Sequence, residues 1–328
     1  MARNQPCIKA IDLFAGLGGS SCGVTSAGVN VVAAVDRWSL ARDTYKSNFP
    51  NVEFLHEGCE NVDIAQLKKR VGRVDLIVAS PECTSHTCAK GSAPRSESSR
   101  RTAFQVVRFA SVFKPRWLVI ENVVHMRSWK SYESWLAKIR GLGYNVKEQV
   151  INASDHGVPQ ARRRLFVLCD RAAQPSEVCP STKRKRSAAS VLSRNGDHSF
   201  TALRAPKRAM ATLERADRAI KVVGEKKAFL LVYYGSDAAG GWQRINVPLR
   251  TLTTLDRFAY VKPTKEGHKM RMLQVPEIKC AMGFPSDYRL EHGTRREKIK
   301  LLGNAVCPPV MRAAILSLTQ ASPSGNHQ

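Results

Sequence analysis

Five short apolar runs, each next to a polar or glycine-rich cluster, constrain this chain more than any other feature. Residues 8–14 form the first and end in Ala15-Gly16-Leu17-Gly18-Gly19. Residues 31–35 are closed by Asp36, and residues 74–79 are stopped by Ser80-Pro81. Residues 117–120 end at Glu121-Asn122, and residues 165–169 follow Arg162-Arg163-Arg164. Runs this apolar, separated by helical stretches, read as strands covered on both faces, so the pattern predicts an α/β fold around a largely parallel sheet. Such sheets bind ligands beyond the carboxyl ends of their strands. The polar clusters are expected there, which makes them candidate functional residues.

After Asp170 the pattern changes. Residues 171–227 carry Pro175, Pro180, the run Lys183-Arg184-Lys185-Arg186 and many more Lys and Arg, without clear periodicity. Residues 229–261 read as β-rich, helical character returns near residue 271, and the end is polar. The expected layout is a catalytic and cofactor-binding domain over 1–170 and a smaller, mainly β module over 171–270. A segment over 271–321 returns to the first domain, and 322–328 form a disordered tail.

Charge narrows the partner. The chain has 52 Lys and Arg against 27 Asp and Glu, a formal charge of +25. That surplus favours encounter with a polyanion and makes affinity salt-sensitive. No stretch reads as a membrane-spanning run and no signal-peptide pattern opens the chain, so neither membrane nor secretion is expected. Nine scattered cysteines show no disulfide ladder or zinc spacing, which predicts reduced thiols and no metal.

Each cluster has two readings when taken alone. The glycine turn suits a dinucleotide or S-adenosylmethionine, but the G-x-G-x-x-G fingerprint is not met, because Gly19, Ser20 and Ser21 follow Gly18. Cys83 lies on a loop after a strand. It is either a nucleophile, with Lys90, Arg95, Arg100 and Arg101 to favour its thiolate or grip phosphates, or a buried inert thiol. Cys83, His86 and Cys88 lack a fourth ligand for zinc. Glu121 is either a carboxyl kept protonated in an apolar cleft or a structural acid. Arg162 and Arg164 suit one anion or base edge, or a solvated charge run.

In their order along the chain these clusters resemble the motifs of the DNA cytosine-5 methyltransferase family, over almost the whole length. Residues 12–19 resemble its cofactor turn, Pro81-Glu82-Cys83 its nucleophile loop, and Glu121-Asn122-Val123 its Glu-Asn-Val element. Gln160-Ala161-Arg162-Arg163-Arg164 resembles its Gln-x-Arg-x-Arg element. Residues 271–285 resemble the segment that organises recognition, and Gly303-Asn304-Ala305-Val306 the final element. The usual Pro-Cys-Gln is interrupted here by Glu82, a Pro-x-Cys loop like that of the phage-like branch. The family's third acidic position has only Glu60 or Asp63 to offer.

The resemblance implies a Rossmann-like, S-adenosylmethionine-dependent methyltransferase with a mixed sheet and a smaller, mainly β target-recognition domain. It implies methyl transfer from S-adenosyl-L-methionine to C5 of a flipped-out cytosine in double-stranded DNA, through a covalent Cys83–C6 intermediate. Glu121, Arg162 and Arg164 would hold the base. Phe14, Ala15, Gly16, Gly18, Gly19, Asp36, Trp38, Pro81, Asn304 and Val306 would hold the cofactor. Lys90, Arg95, Arg100, Arg101, Arg250, Thr253, Arg257 and Arg271 would contact DNA. The alternatives are a tRNA cytosine-5 methyltransferase and a catalytically silent nucleic-acid-binding homologue. A cytoplasmic, bacterial or phage-encoded monomer is expected, with a partner restriction endonuclease left undecided.

Overall fold

Alternation within each apolar run decides the architecture. The computed structural model describes residues 7–82, 102–193, 198–234 and 240–320. Its main sheet has seven strands in the spatial order β3 (Glu53–Leu55), β2 (Asn30–Val35), β1 (Lys9–Leu13), β4 (Leu76–Ala79), β5 (Trp117–Asn122), β8 (Arg163–Asp170) and β6 (Asn145–Asn152). The first five are parallel, whereas β8 is antiparallel to both β5 and β6. The sheet is therefore mixed, and the antiparallel β8 brings its first residues to the carboxyl end of β5.

Successive side chains point to opposite faces of a strand. Accordingly Leu76, Val78 and Val119 join one core with α1 (Gly19–Ser26) and α9 (Pro308–Thr319). Ile77, Ala79, Leu118 and Ile120 join another with α3 (Ile64–Val71), α4 (Ala103–Phe113) and α5 (Tyr132–Gly141). α2 (Ser39–Asn48) follows β2 and places Tyr45 beneath the turn after β1. The apolar runs are thus central because both faces are covered, as their lack of polar residues demands.

A second sheet has the order β11 (Trp242–Arg244), β10 (Phe229–Val232), β13 (Phe258–Thr264), β14 (Gly267–Met272), β9 (Thr201–Ala202), with every pair antiparallel. α6 (Met210–Val223) covers one face through Ala216, Ala219 and Val223. The other face, including Leu230, Val232 and Phe258, belongs to the same apolar core as α1 and α9. α6 lies where no periodicity was expected, because alanines carry its buried stripe among arginines. The β-like stretch expected over 249–260 is broken: β12 (Leu249–Arg250) leaves the second sheet and pairs parallel with β7 (Gln160–Ala161).

After β14 the chain returns through α7 (Val275–Ala281), α8 (Arg295–Asn304) and α9. Although the sequence reading found no such run, one 18-residue window within Arg295–Thr319 reaches a mean hydropathy of 1.4, enough for a membrane span by composition alone. The protein buries 67% of that window, and α9 packs against α1 as a core helix.

Candidate active site

The turn after β1 is built for close approach by backbone. Phe14, Gly16 and Gly18 have positive φ (58°, 53° and 94°), and a Cβ on Gly16 would meet nothing within 4 Å, so that side of the turn is an open cradle. A Cβ on Gly19 would lie 2.4 Å from the Val306 carbonyl oxygen, so the final motif crosses the start of α1 where only glycine fits. Asp36 fastens the turn: one carboxylate oxygen accepts from the Gly16 amide and the other from the Trp38 amide, both at 2.8 Å. Each oxygen keeps a lone pair for a further donor, and burial raises the Asp36 pKa. Trp38 is half-buried with the Lys300 ammonium 5.0 Å from its ring centre. Of the two acids at the third position, Asp63 is committed as the N-cap of α3, accepting from the Gln66 amide at 3.0 Å.

Beneath the turn, Asp12 is fully buried, accepts from Ser21 Oγ at 2.7 Å, and is pushed up to about 7 by burial. Ser21 Oγ also hydrogen-bonds the Tyr45 hydroxyl at 2.6 Å. A carboxyl whose pKa rises on folding holds its proton in the native state after the unfolded chain has lost it. Stability therefore falls as pH climbs from about 4 to about 7 and levels off above. Asp12→Asn removes that slope. Denaturant unfolding at pH 5 and pH 8 should show the wild type losing about 1 to 3 kcal/mol relative to the variant.

The carboxyl ends of β4 and β5 supply the next groups. The Ser80 amide donates to the Leu13 carbonyl at 3.1 Å, and Asn122 Nδ2 donates to the Pro81 carbonyl at 3.2 Å. Glu82 pairs with Arg37 at the end of β2. Glu121 is buried, with the Arg164 Nε 3.2 Å from its carboxylate. Burial raises its pKa, and the nearby Arg164 and Arg162 charges act against that rise. Cys307, a thiol in the same electrostatic neighbourhood, is pushed up to about 11 by burial and is protonated at neutral pH.

The two arginines of the Gln-x-Arg-x-Arg element do different work. Arg164 faces Glu121. Arg162 sits between β7 and β8 and donates to the carbonyls of Leu252 (2.9 Å), Gly303 (2.8 Å) and Ala305 (3.2 Å). It is buried and ties these segments together, a structural tie that the sequence expectation of a base contact did not include. Gln160, which sequence reasoning left out of the site, is also fully buried. Its amide donates to Ala281 O at 3.0 Å and accepts from the Leu252 amide at 2.8 Å. A Cβ on Gly303 would lie 2.4 Å from Thr253 O, so the recognition segment and the final motif meet where Arg162 ties them.

The expected DNA contacts fare unevenly. Arg250 and Thr253 flank the Leu252 junction, both half-buried, and the Arg257 guanidinium donates to Tyr233 O at 3.0 Å. Arg271 is corrected: its side chain and that of Glu277 are each 3% exposed, joined by two hydrogen bonds of 2.6 and 2.8 Å. Burial removes it from any DNA surface and makes it a link between β14 and α7. Arg271→Ala leaves a buried carboxylate uncompensated and should cost about 3 to 5 kcal/mol in denaturant unfolding, where a surface DNA contact would cost almost nothing. Asn304 is exposed at the end of α8, and Val306 is buried against α1. Cys83, His86, Cys88, Lys90, Arg95, Arg100 and Arg101 lie outside the described residues.

The geometry gathers an open glycine cradle, a strand-end acid and a buried Glu–Arg pair along one edge of the sheet. Comparisons with known proteins point the same way. The sequence profile described as C-5 cytosine-specific DNA methylase matches residues 8–320. The Type II methyltransferase M.HgiDI of Herpetosiphon aurantiacus is 28% identical over 319 residues, covering 94% of this chain and 93% of that protein. A putative DNA modification methyltransferase encoded within a prophage (E. coli) superposes with a TM-score of 0.69 at 20% identity, covering 94% of this chain and 98% of the other. A mutant form of the Spodoptera frugiperda DNMT2 also gives 0.69 at 20% identity, covering 94% and 99%. At that identity the two structures speak for the fold.

Proposed function

The chain belongs to the C-5 cytosine-specific DNA methylase family, and from that premise we propose which of its residues carry the reaction. It is a DNA cytosine-5 methyltransferase using S-adenosylmethionine. The observation that carries the residue assignment is the buried Glu121–Arg164 pair at the strand ends, beside the open cradle after β1.

C5 of cytosine is a weak nucleophile within an aromatic ring. Adding the Cys83 thiolate to C6 breaks that conjugation and gives C5 enamine character. Charge that develops on the ring is met by Glu121, protonated and donating to N3, while Arg164 holds the carbonyl oxygen. The cradle residues Phe14, Ala15, Gly16, Gly18 and Gly19, with Asp36, Trp38, Pro81, Asn304 and Val306, would hold the cofactor, which supplies an electrophilic methyl group to C5. Loss of the C5 proton to a base then lets the Cys83 Sγ–C6 bond break and restores the ring. The base must leave the duplex first, at a cost of a few kcal/mol.

The second sheet and its flanking segments are the target-recognition unit in this reading. Residues 171–272 hold 21 Lys and Arg against 8 Asp and Glu, so a surplus of 13 lies in under a third of the chain. Arg250, Thr253 and Arg257, with Lys90, Arg95, Arg100 and Arg101, are proposed DNA contacts. The enzyme is proposed to act as a cytoplasmic monomer.

Incubating the protein with labelled S-adenosylmethionine and either mixed-sequence duplex DNA or tRNA tests the reading. Label should enter DNA as 5-methylcytosine; label in tRNA alone would overturn it. Binding to duplex DNA should weaken by about a thousandfold or more between 50 and 200 mM salt, as expected for six or more phosphate contacts.

A further inference from the structure

Beneath the cradle lies a buried carboxyl that the proposed reaction does not use. Asp12 is the last residue but one of β1, two positions before Phe14, where the backbone first turns to positive φ. Ser21 gives its one hydroxyl proton to Asp12 Oδ2 at 2.7 Å, so the Tyr45 hydroxyl donates in turn to Ser21 Oγ at 2.6 Å. Among the described residues, the buried Asp12 Oδ1 has no hydrogen-bond partner. The groups that act on or feel this carboxyl are Ser21 of α1, Tyr45 of α2, Tyr288 after α7 and Asp36 after β2. Burial keeps both phenols neutral, and none of the charges acting on Asp12 is a cation. Asp12 and Asp36 repel each other, and Asp36 holds the Gly16 amide, so a charge on Asp12 is felt at the cradle. A carboxyl buried without a cation leaves that role open to a positive group on a ligand.

We propose that Asp12 lets the cradle tell the methyl donor from its demethylated product by charge. S-adenosylmethionine carries a sulfonium where S-adenosylhomocysteine has a neutral thioether, and the two are otherwise alike. The open side of the turn at Gly16 leaves room for a ligand laid against the backbone. An ionised Asp12 below it attracts the cation and does nothing for the thioether, and a water-poor interior carries that attraction over several ångströms. Asp12 touches neither ligand in this scheme and acts through its field alone. Burial pushes its pKa up to about 7, so the charge is absent in mild acid and present in mild alkali. Preference for the donor therefore grows as pH climbs through neutrality, and by linkage the cation displaces the Asp12 proton.

The inference rests on the proposed use of the cradle for the cofactor, and its test separates the two. The full-length protein, without DNA, is titrated calorimetrically with S-adenosylmethionine and with S-adenosylhomocysteine at pH 5 and pH 8, beside Asp12→Asn. Binding of neither ligand by the wild type would sink the cofactor assignment without reference to Asp12. Given binding, the ratio of product Kd to donor Kd should rise between the two pH values by about fivefold more in the wild type than in Asp12→Asn. The ligands' own amino groups and Asp36 titrate in both proteins, so the difference between the proteins isolates Asp12. A purely structural fault in the variant would weaken both ligands alike and leave the ratio unmoved. Ser21→Ala keeps the carboxyl but loses the hydrogen bond that favours its ionised form, so the rise should come at higher pH than in the wild type. A ratio that moves with pH equally in wild type and Asp12→Asn, or a rise that Ser21→Ala leaves at the same pH, would overturn the proposal.

Discussion

Cys83→Ala should form no covalent adduct with 5-fluorocytosine DNA and should lose turnover by about ten-thousandfold or more, while still binding duplex DNA. Without the sulfur, C5 keeps its aromatic character, and no neighbouring group can replace that addition. Fluorine at C5 cannot leave as the proton does, so in the wild type the Cys83 Sγ–C6 bond persists and can be seen as a shifted band. Two other thiols make the experiment specific. Cys307 lies near Glu121 and the arginines, but burial pushes it up to about 11, so little thiolate exists there at neutral pH. Cys88 lies five residues further along the loop. Cys307→Ala and Cys88→Ala should both keep the adduct, and an adduct retained by Cys83→Ala would refute the assignment. An adduct in the wild type that Cys83→Ala loses also separates this reading from that of a silent binding homologue, in which neither protein would form one.

The strand ends were legible because their chemistry is local. A doubly covered strand must be apolar and must stop at a polar residue, so Asp36, Pro81, Glu121 and the glycine turn all fall where the runs end. Arg162 and Arg164 were not separable, since the expectation that both serve one anion or base edge assumed an unbroken strand through residues 160–164. The structure ends β7 at Ala161 and begins β8 at Arg163, which frees Arg162 to reach carbonyls 90 and 141 residues away. Arg271 misled for a similar reason. Its partner Glu277 is six residues on, across the β14–α7 corner, and sequence shows a cation in a basic chain but not the carboxylate that buries it. Gly19 and Gly303 carried a signal that sequence could not interpret: each is glycine because another backbone passes within 2.4 Å of its missing Cβ.

Glu121→Gln should lower turnover by about a hundredfold to ten-thousandfold and slow, without abolishing, the 5-fluorocytosine adduct. Glutamine keeps the size of the side chain and can still donate from its amide, so the fold and the approach of the base should survive. It cannot neutralise negative charge on the ring by moving a proton toward N3, and that charge is largest as the thiolate adds. The carboxyl suits this role because burial raises its pKa, although Arg164 at 3.2 Å and Arg162 pull the other way. In the wild type the fraction protonated falls as pH rises through that raised value, so the rate should decline on the alkaline side. The amide has no such titration, and its profile should lack the decline. Arg164→Met gives the complementary result. With the cation gone the Glu121 pKa rises further and the alkaline decline moves to higher pH, even as the overall rate drops for want of a group to hold the base carbonyl. A decline that stayed in place in both variants would have to come from another group, and Glu121 would then be reduced to a structural partner of Arg164.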